Sequence, residues 1–374
     1  MTPTRRFSLI AVAALAASVG AYSAYWWWGA GKMDETVTGW IDDWRRAGYR
    51  IDYAEKTVGG FPWTVRIRLV RPALADPAGA WSWSAGNLDL SAEPWAPATY
   101  RLSAEGGHEA VVPIAGRLVP MQATADRAEG TAEFDLDGRL RQADITLENV
   151  DGIAPALNAD LKIDRATVTL TQPAQPARDH QDEEAAVDLL VQGLRLPPAL
   201  SGPLGRDLAH TSLRARLLGP FPRTDMRGAL ETWRDAGGTL DVPWLSMEWG
   251  PTKLRAEGTM ALDELLRPSA AFDAKVAGLS GTLDALVAAK LIKPDAARLA
   301  GVGLLLFART PPGGGEPELA IPVSALDGEV YLGPIKMGRV PPLLPPEPAA
   351  EKAATAPPPA PVTAENLPAP GSAD

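Results

Sequence analysis

Strict alternation of apolar and polar side chains over short runs constrains this chain more than any other feature. Residues 64–70, TVRIRLV, set Val65, Ile67 and Leu69 against Arg66 and Arg68. Successive side chains of a strand point to opposite sides, so such a run has one dry and one wet face. The pattern recurs at 87–90, 131–136, 144–147, 157–170, 187–196, 213–217, 253–260 and 271–276. Asp137-Gly138 and Asp327-Gly328 supply the positive φ angles of tight hairpin turns between strands. The expected class is α+β, mainly β, with one or more long curved antiparallel sheets and a few covering helices. Within 157–170 the apolar positions are odd through Ile163 and even from Ala166. The phase therefore slips near Arg165, where a bulge is expected to bend the strand.

Helical spacing is confined to a few places. Over 32–48, Met33, Val37, Trp40, Ile41 and Trp44 recur every three or four residues while charged residues take the other side. That stripe fits packing on a domain better than lying on a membrane, because surface-bound helices are usually basic and this one is mixed in charge. Further helices are expected over 224–236 and 282–292, with a short piece over 295–300. The Pro, Gln, Arg and acid-rich stretch 173–184 reads as a loop or linker between two β-rich halves, 32–172 and 185–340. Eleven of the 34 residues from 341 to 374 are proline and most others are Ala or acidic. This tail can bury almost nothing and is expected to be disordered.

Before the first half, residues 7–28 contain 22 positions without an ionisable acid or base, after Arg5 and Arg6. As a helix the run would reach about 33 Å, against roughly 30 Å of bilayer hydrocarbon. It ends in Trp26, Trp27 and Trp28, and indole settles where hydrocarbon meets water. Residues 1–31 are thus expected to be an uncleaved single-pass anchor with membrane-interface residues Arg5, Arg6, Trp26, Trp27 and Trp28. The arginines on the short side keep the N-terminus in the cytoplasm and leave everything after Lys32 outside it. Ala21-Tyr-Ser23 is the rival reading, a signal-peptidase site, but a cleaved signal has a shorter apolar region of about 7–15 residues.

Catalytic and metal chemistry find little footing. Cysteine is absent, which excludes disulfides, zinc thiolates and thiol nucleophiles. The formal net charge of -10 and the lack of a basic stripe argue against a nucleic-acid partner. His108, after Gly106-Gly107 in an expected turn, His180 among acids, and His210 stand in no recognisable hydrolase motif. Gly313-Gly-Gly315 lacks the Lys-Ser/Thr of a phosphate cradle and reads as a hairpin connection. No cofactor, metal site or catalytic residue is expected. Trp81 and Trp83, two apart in a strand, share a face and read as core before they read as a sugar or lipid platform.

Residues 59–90, GGFPWTVRIRLVRPALADPAGAWSWSAGNLDL, closely resemble the alphaproteobacterial family catalogued as domain of unknown function 2125. The motif positions are Gly60, Phe61, Pro62 and Trp63, then Asp76 and Pro77 with Trp81 and Trp83. Segments 238–242, 247–250 and 326–334 resemble it as well. The resemblance implies an N-terminal anchor, an amphipathic helix and a Gly-Phe-Pro turn leading into a strand. It transfers no catalytic residues. More loosely, the repeat at 254–263 is similar in style to inner-membrane AsmA-like envelope proteins, which implies long curved sheets that hold lipid in a groove. Physically, Gly59 and Gly60 permit a sharp reversal, Pro62 fixes φ, and Phe61 and Trp63 are placed to cap the sheet edge.

The expectation is a non-catalytic, membrane-anchored envelope protein that binds a lipid or other amphiphile on an apolar sheet surface. An envelope scaffold that holds a protein partner is the alternative, and a hydrolase the third reading.

Overall fold

The computed structural model describes residues 3–114, 117–157, 159–198, 201–222, 225–311 and 314–344, with the side chains of 3–11, 114, 156 and 304–306 outside that set. The tail expected to be disordered therefore lies almost wholly outside the described residues. So do Pro312 and Gly313, and the side chains of Arg5 and Arg6. The fold is mainly β with few helices, and its strands form one 18-stranded sheet.

The chain begins with a helix α1 (Pro3–Arg46). Five strands follow, β1 (Arg50–Asp52), β2 (Glu55–Gly59), β3 (Val65–Val70), β4 (Ala73–Ala75) and β5 (Ser82–Glu93). The next group is β6 (Ala96–Ile114), β7 (Arg117–Thr124), β8 (Arg127–Phe134), β9 (Leu140–Ala154), β10 (Ala159–Thr171), β11 (Glu183–Arg195) and β12 (Asp207–Leu218). Helix α2 (Met226–Asp235) leads to β13 (Thr239–Trp249), β14 (Thr252–Leu262) and β15 (Pro268–Ala277). A helical pair, α3 (Leu279–Ala288) and α4 (Pro294–Phe307), precedes β16 (Leu319–Leu326), β17 (Glu329–Leu332) and β18 (Ile335–Arg339).

Every pairing is antiparallel, and from β9 to β18 each strand pairs with the next in the chain. The long β6 is flanked along its length by β7 at one end and β8 at the other, and β9 closes over both. Among the described residues β2 pairs only with β3 and β18 only with β17, so the sheet has free edges. Residues 173–182 join β10 to β11, neighbours in this sheet. Ala177 in that stretch is buried, and Asp182 accepts the backbone N–H groups of Arg178 and Asp179 at 2.9 and 3.1 Å. Those bonds hold its carboxyl below the usual range.

Pairing carries the alternation of each strand into its neighbours. One rung runs from Val58 through Ile67, Leu90, Leu102, Gly130, Ile145, Val168, Leu189, Leu213, Leu245, Ala256 and Ala274 to Ile321. The same face of thirteen consecutive strand partners is thus apolar or bare backbone. The opposite face is ion-paired: Arg68 grips Asp89 with two bonds of 2.7 and 2.5 Å, and Arg214 holds Asp188 at 2.7 Å.

The slip expected near Arg165 is present, but it does not shift the pairing. Asp164 and Arg165 are both exposed, and the partner strands carry matching irregularities at Asn149 (φ 50°) and Gly193 (φ 62°). A Cβ on Gly193 would stand 1.9 Å from Asp164 Oδ2, so only glycine allows the three strands to deviate together.

Two sequence expectations are corrected. Gly106-Gly107 is not a turn but forms a bulge inside β6 opposite Gly86, where backbone approaches backbone. Residues 1–31 and 32–48 do not form separate segments of structure, because α1 runs unbroken from Pro3 to Arg46. Its buried stripe is Trp26, Ala30, Met33, Val37 and Ile41, at helical spacing, packed on Val65, Ile67, Leu69 and Ala92. Among the described residues this is the largest of three buried apolar clusters. Among the described residues no helix is long and apolar enough to cross a membrane.

Candidate functional site

The Gly-Phe-Pro motif docks α1 onto the sheet. Gly60 takes φ 100°, and a Cβ there would meet Thr64 O at 2.5 Å, so the reversal demands glycine. The Phe61–Pro62 bond is cis. The turn presents two backbone carbonyls and one ring to the helix, and the β5–β6 connection adds a third carbonyl. Tyr22 Oη donates to Pro62 O at 2.5 Å, Trp26 Nε1 to Thr64 O at 3.0 Å, and Tyr25 Oη to Pro94 O at 2.7 Å. Phe61 meets Trp26 edge-on, with ring centroids 5.4 Å apart.

These contacts correct the reading of Trp26 as a membrane-interface residue. It is 2 % exposed and belongs to the domain core, whereas Trp27 and Trp28 are 67 % and 62 % exposed. An indole whose N–H already has a partner, with its ring enclosed, has nothing left to offer a bilayer. Trp63, expected to cap the sheet edge, is instead exposed. Asp76 and Pro77 shape the β4–β5 connection, where Asp76 Oδ2 accepts from the N–H groups of Ala78 and Ala80 at 3.0 and 3.1 Å. Trp81 packs on Tyr49, whereas Trp83 stacks on His108 and also borders the apolar space beneath α1.

Beyond its docked stripe, α1 leaves a gap over the sheet. The result is a groove of about 470 Å³. Val37, Trp40, Ile41 and Trp44 form the helical wall; β3 and β5 supply Ile67, Leu69, Leu88 and Leu90. Tyr100 and Leu102 of β6, Gly130, Ala132 and Phe134 of β8, and Ala143 and Ile145 of β9 complete the floor. Register explains why they converge: Leu102, Gly130 and Ile145 stand on one rung, and Tyr100, Ala132 and Ala143 on the next. Gly130, without a side chain, deepens the middle of the floor. Trp40, Tyr100 and Phe134 stiffen one side as an aromatic cluster, with centroid separations of 5.6 to 6.4 Å.

Thr131 and Asp144 also border the groove, but strand alternation turns their side chains to the other face. There Asp144 accepts from Thr169 at 2.6 Å, Gln142 at 2.8 Å and Thr131 at 3.3 Å. The bond from Thr169 does most to hold its carboxyl below the ordinary carboxylate range. The groove side chains themselves are apolar apart from the Tyr100 hydroxyl and the indole N–H groups of Trp40, Trp44 and Trp83. Yet Trp40, Trp44, Leu102 and Ile145 are 41 to 50 % exposed. Large apolar side chains at the mouth of a dry groove mark a binding surface more than a finished core.

The histidines lie in three separate settings. His108, on β6, borders a more polar cavity of about 680 Å³ with Arg71, Glu109 and Asp151, and burial pushes its imidazole below the ordinary value. His180 is exposed, with Nδ1 2.5 Å from Asp179 Oδ1. His210 lies on β12 opposite Gln192 and Glu248. Among the described residues no three His, Asp or Glu side chains converge to hold a metal ion.

The groove residues were not identified in the sequence as a site. Alternation marks Leu88, Leu90, Ala132 and Ile145 as facing a dry side, but only strand pairing shows that they share one floor. A family model described as "Uncharacterized protein conserved in bacteria (DUF2125)" matches residues 26–341. The match starts at Trp26, where α1 enters the core. No curated protein and no solved structure matches the chain.

Proposed function

This chain belongs to the DUF2125 family, and we propose that it is a non-catalytic binding protein of the bacterial cell envelope that takes the hydrocarbon chain of an amphiphile into the groove beneath α1. The observation that carries this reading is the apolar groove itself, walled on both sides yet left with four large apolar residues exposed at its mouth. A volume of about 470 Å³ lies within the roughly 300–1,000 Å³ of small-ligand sites.

The membrane enters through energetics. Burying a methylene from water yields about 0.8 kcal/mol, but a chain already in a bilayer gains almost nothing by moving to another dry site. A groove beside the bilayer, with a short path between the two, lets the chain exchange without crossing water, where each exposed methylene costs about 0.8 kcal/mol. The N-terminal part of α1 fits that need: Val12, Leu15 and Val19 project exposed from the helix, ahead of Trp27 and Trp28. We place the protein at the inner membrane with its sheet in the periplasm, on the sequence of residues 7–28 and the arginines before it.

The test compares lipid recovered from the purified full chain with that from Ala132→Trp and Ala143→Trp, which face each other across two strands and fill the floor. Organic extraction and mass spectrometry should recover an amphiphile in stoichiometric amount from the natural chain and little from either variant. Equal recovery from variants with unchanged circular dichroism would remove the groove as the site. A scaffold role has one observation in its favour: β18 is exposed along its whole length and has a free edge to which a partner's strand could add. Stoichiometric capture of a protein by the natural chain, lost when Met337→Pro breaks that edge, together with absent lipid, would favour it.

A further inference from the structure

The helical pair α3–α4 carries large apolar side chains exposed to solvent. On α4 the small residues Ala297 and Gly301 face inward: Ala297 is buried, and a Cβ on Gly301 would touch Leu283 of α3 at 3.4 Å. Three large ones stand out to solvent, Leu299, Val302 and Phe307, at 65 to 77 % exposure. At about 100° per residue Leu299 lies opposite Ala297 and Gly301, with Val302 and Phe307 on its two flanks. A helix packed for water does the reverse. At the tip joining α3 to α4, Leu291 is 63 % exposed between Lys290 and Lys293. The pair is nonetheless firmly seated, since Thr282 Oγ1 lies 2.7 Å from Thr252 Oγ1 of β14.

Charge supplies the second observation. In a chain of formal net charge -10, this pair carries the basic side chains Lys290, Lys293 and Arg298 against Asp284 and Asp295. Arg298 is engaged with Asp295 at 3.1 Å. Among the described residues neither lysine has a carboxylate partner. Two unpaired ammonium groups flanking an exposed leucine suit a surface that is anionic above and apolar below.

We propose that the α3–α4 tip is a contact for an anionic lipid surface: Leu291 enters the acyl boundary, Lys290 and Lys293 meet phosphate, and the outer side of α4 continues the apolar contact. This inference does not rest on the groove. The contact is separate from α1, because α3–α4 joins β15 to β16 whereas α1 packs on β3.

The chain has no cysteine, so Leu291→Cys can carry a single environment-sensitive fluorophore, with Glu257→Cys on the wet face of β14 as control. The full chain is bound to vesicles of equal parts phosphatidylglycerol and phosphatidylcholine, or of phosphatidylcholine alone, and bound protein is isolated by flotation. The label at 291 should brighten several-fold and shift to the blue on the anionic vesicles, with little change at 257. Adding Lys290→Glu and Lys293→Glu should abolish that gain, since each lysine near an anionic surface is worth about a five-fold preference. Floated protein whose 291 label emits as it does in buffer would overturn the proposal. So would brightening that rises with protein concentration in the absence of vesicles, which would assign the tip to a second copy. Because the label reports only the tip, either result leaves lipid recovery from the groove as an independent question.

Discussion

Replacing Trp26 asks whether the foot of α1 belongs to the β domain or to a bilayer. The side chain is 2 % exposed, donates Nε1–H to Thr64 O at 3.0 Å and meets Phe61 edge-on. A tryptophan buries about 150–250 Å², which at ~25 cal/mol per Å² is at most about 4–6 kcal/mol. Large-to-small core replacements of this kind cost about 3–5 kcal/mol. Trp26→Ala should therefore destabilise the fold by about 3–5 kcal/mol, read as a lower midpoint in urea unfolding followed by far-ultraviolet circular dichroism. Trp26→Phe keeps most of the apolar volume but strands the Thr64 carbonyl, and should cost about 1–3 kcal/mol. Trp27→Ala and Trp28→Ala, at exposed positions, should stay within about 0.5 kcal/mol of the natural chain. An aromatic belt serving only the membrane makes a different forecast, with the three alanine variants alike and none altering the sheet transition. If Trp26→Ala unfolds within about 0.5 kcal/mol of the natural chain, the docking of α1 through the Gly-Phe-Pro turn is refuted.

Two further outcomes follow from local geometry. Gly193→Ala should destabilise by more than about 1 kcal/mol, from the positive φ alone, with an added clash against Asp164. Asp164→Gly in the same chain should recover the clash component in a thermal melt, and no recovery would mean the three-strand irregularity is not held by that contact. His108 is kept below its ordinary value by burial, so the folded state binds fewer protons there than the unfolded chain. Stability from this group is complete above about pH 6.5 and is lost as pH falls from there through the folded value. His108→Gln should flatten that part of the stability profile, and an unchanged slope between about pH 6.5 and 5 would show that the imidazole does not govern it.

Much of the local structure was legible in the sequence because it is local. The alternation in 64–70 gave β3 and its faces, Asp137-Gly138 and Asp327-Gly328 gave two hairpins, and the spacing in 282–292 gave a helix. Misreadings arose where a residue type has two uses. Gly106-Gly107 reads as a turn but serves a bulge inside β6, and the short helical piece expected over 295–300 continues to Phe307.

The sequence by itself determined which side of each strand is dry and where helices can form, since both depend on side-chain direction within a few residues of chain. Tertiary structure decided that Trp26 is core instead of membrane belt, because its partners Phe61 and Thr64 lie well over thirty positions away. It also decided that Ile67, Leu90, Leu102 and Ile145 form one floor under α1. Register between distant strands fixes such neighbours, and a groove exists only in the space that those non-local pairings leave open.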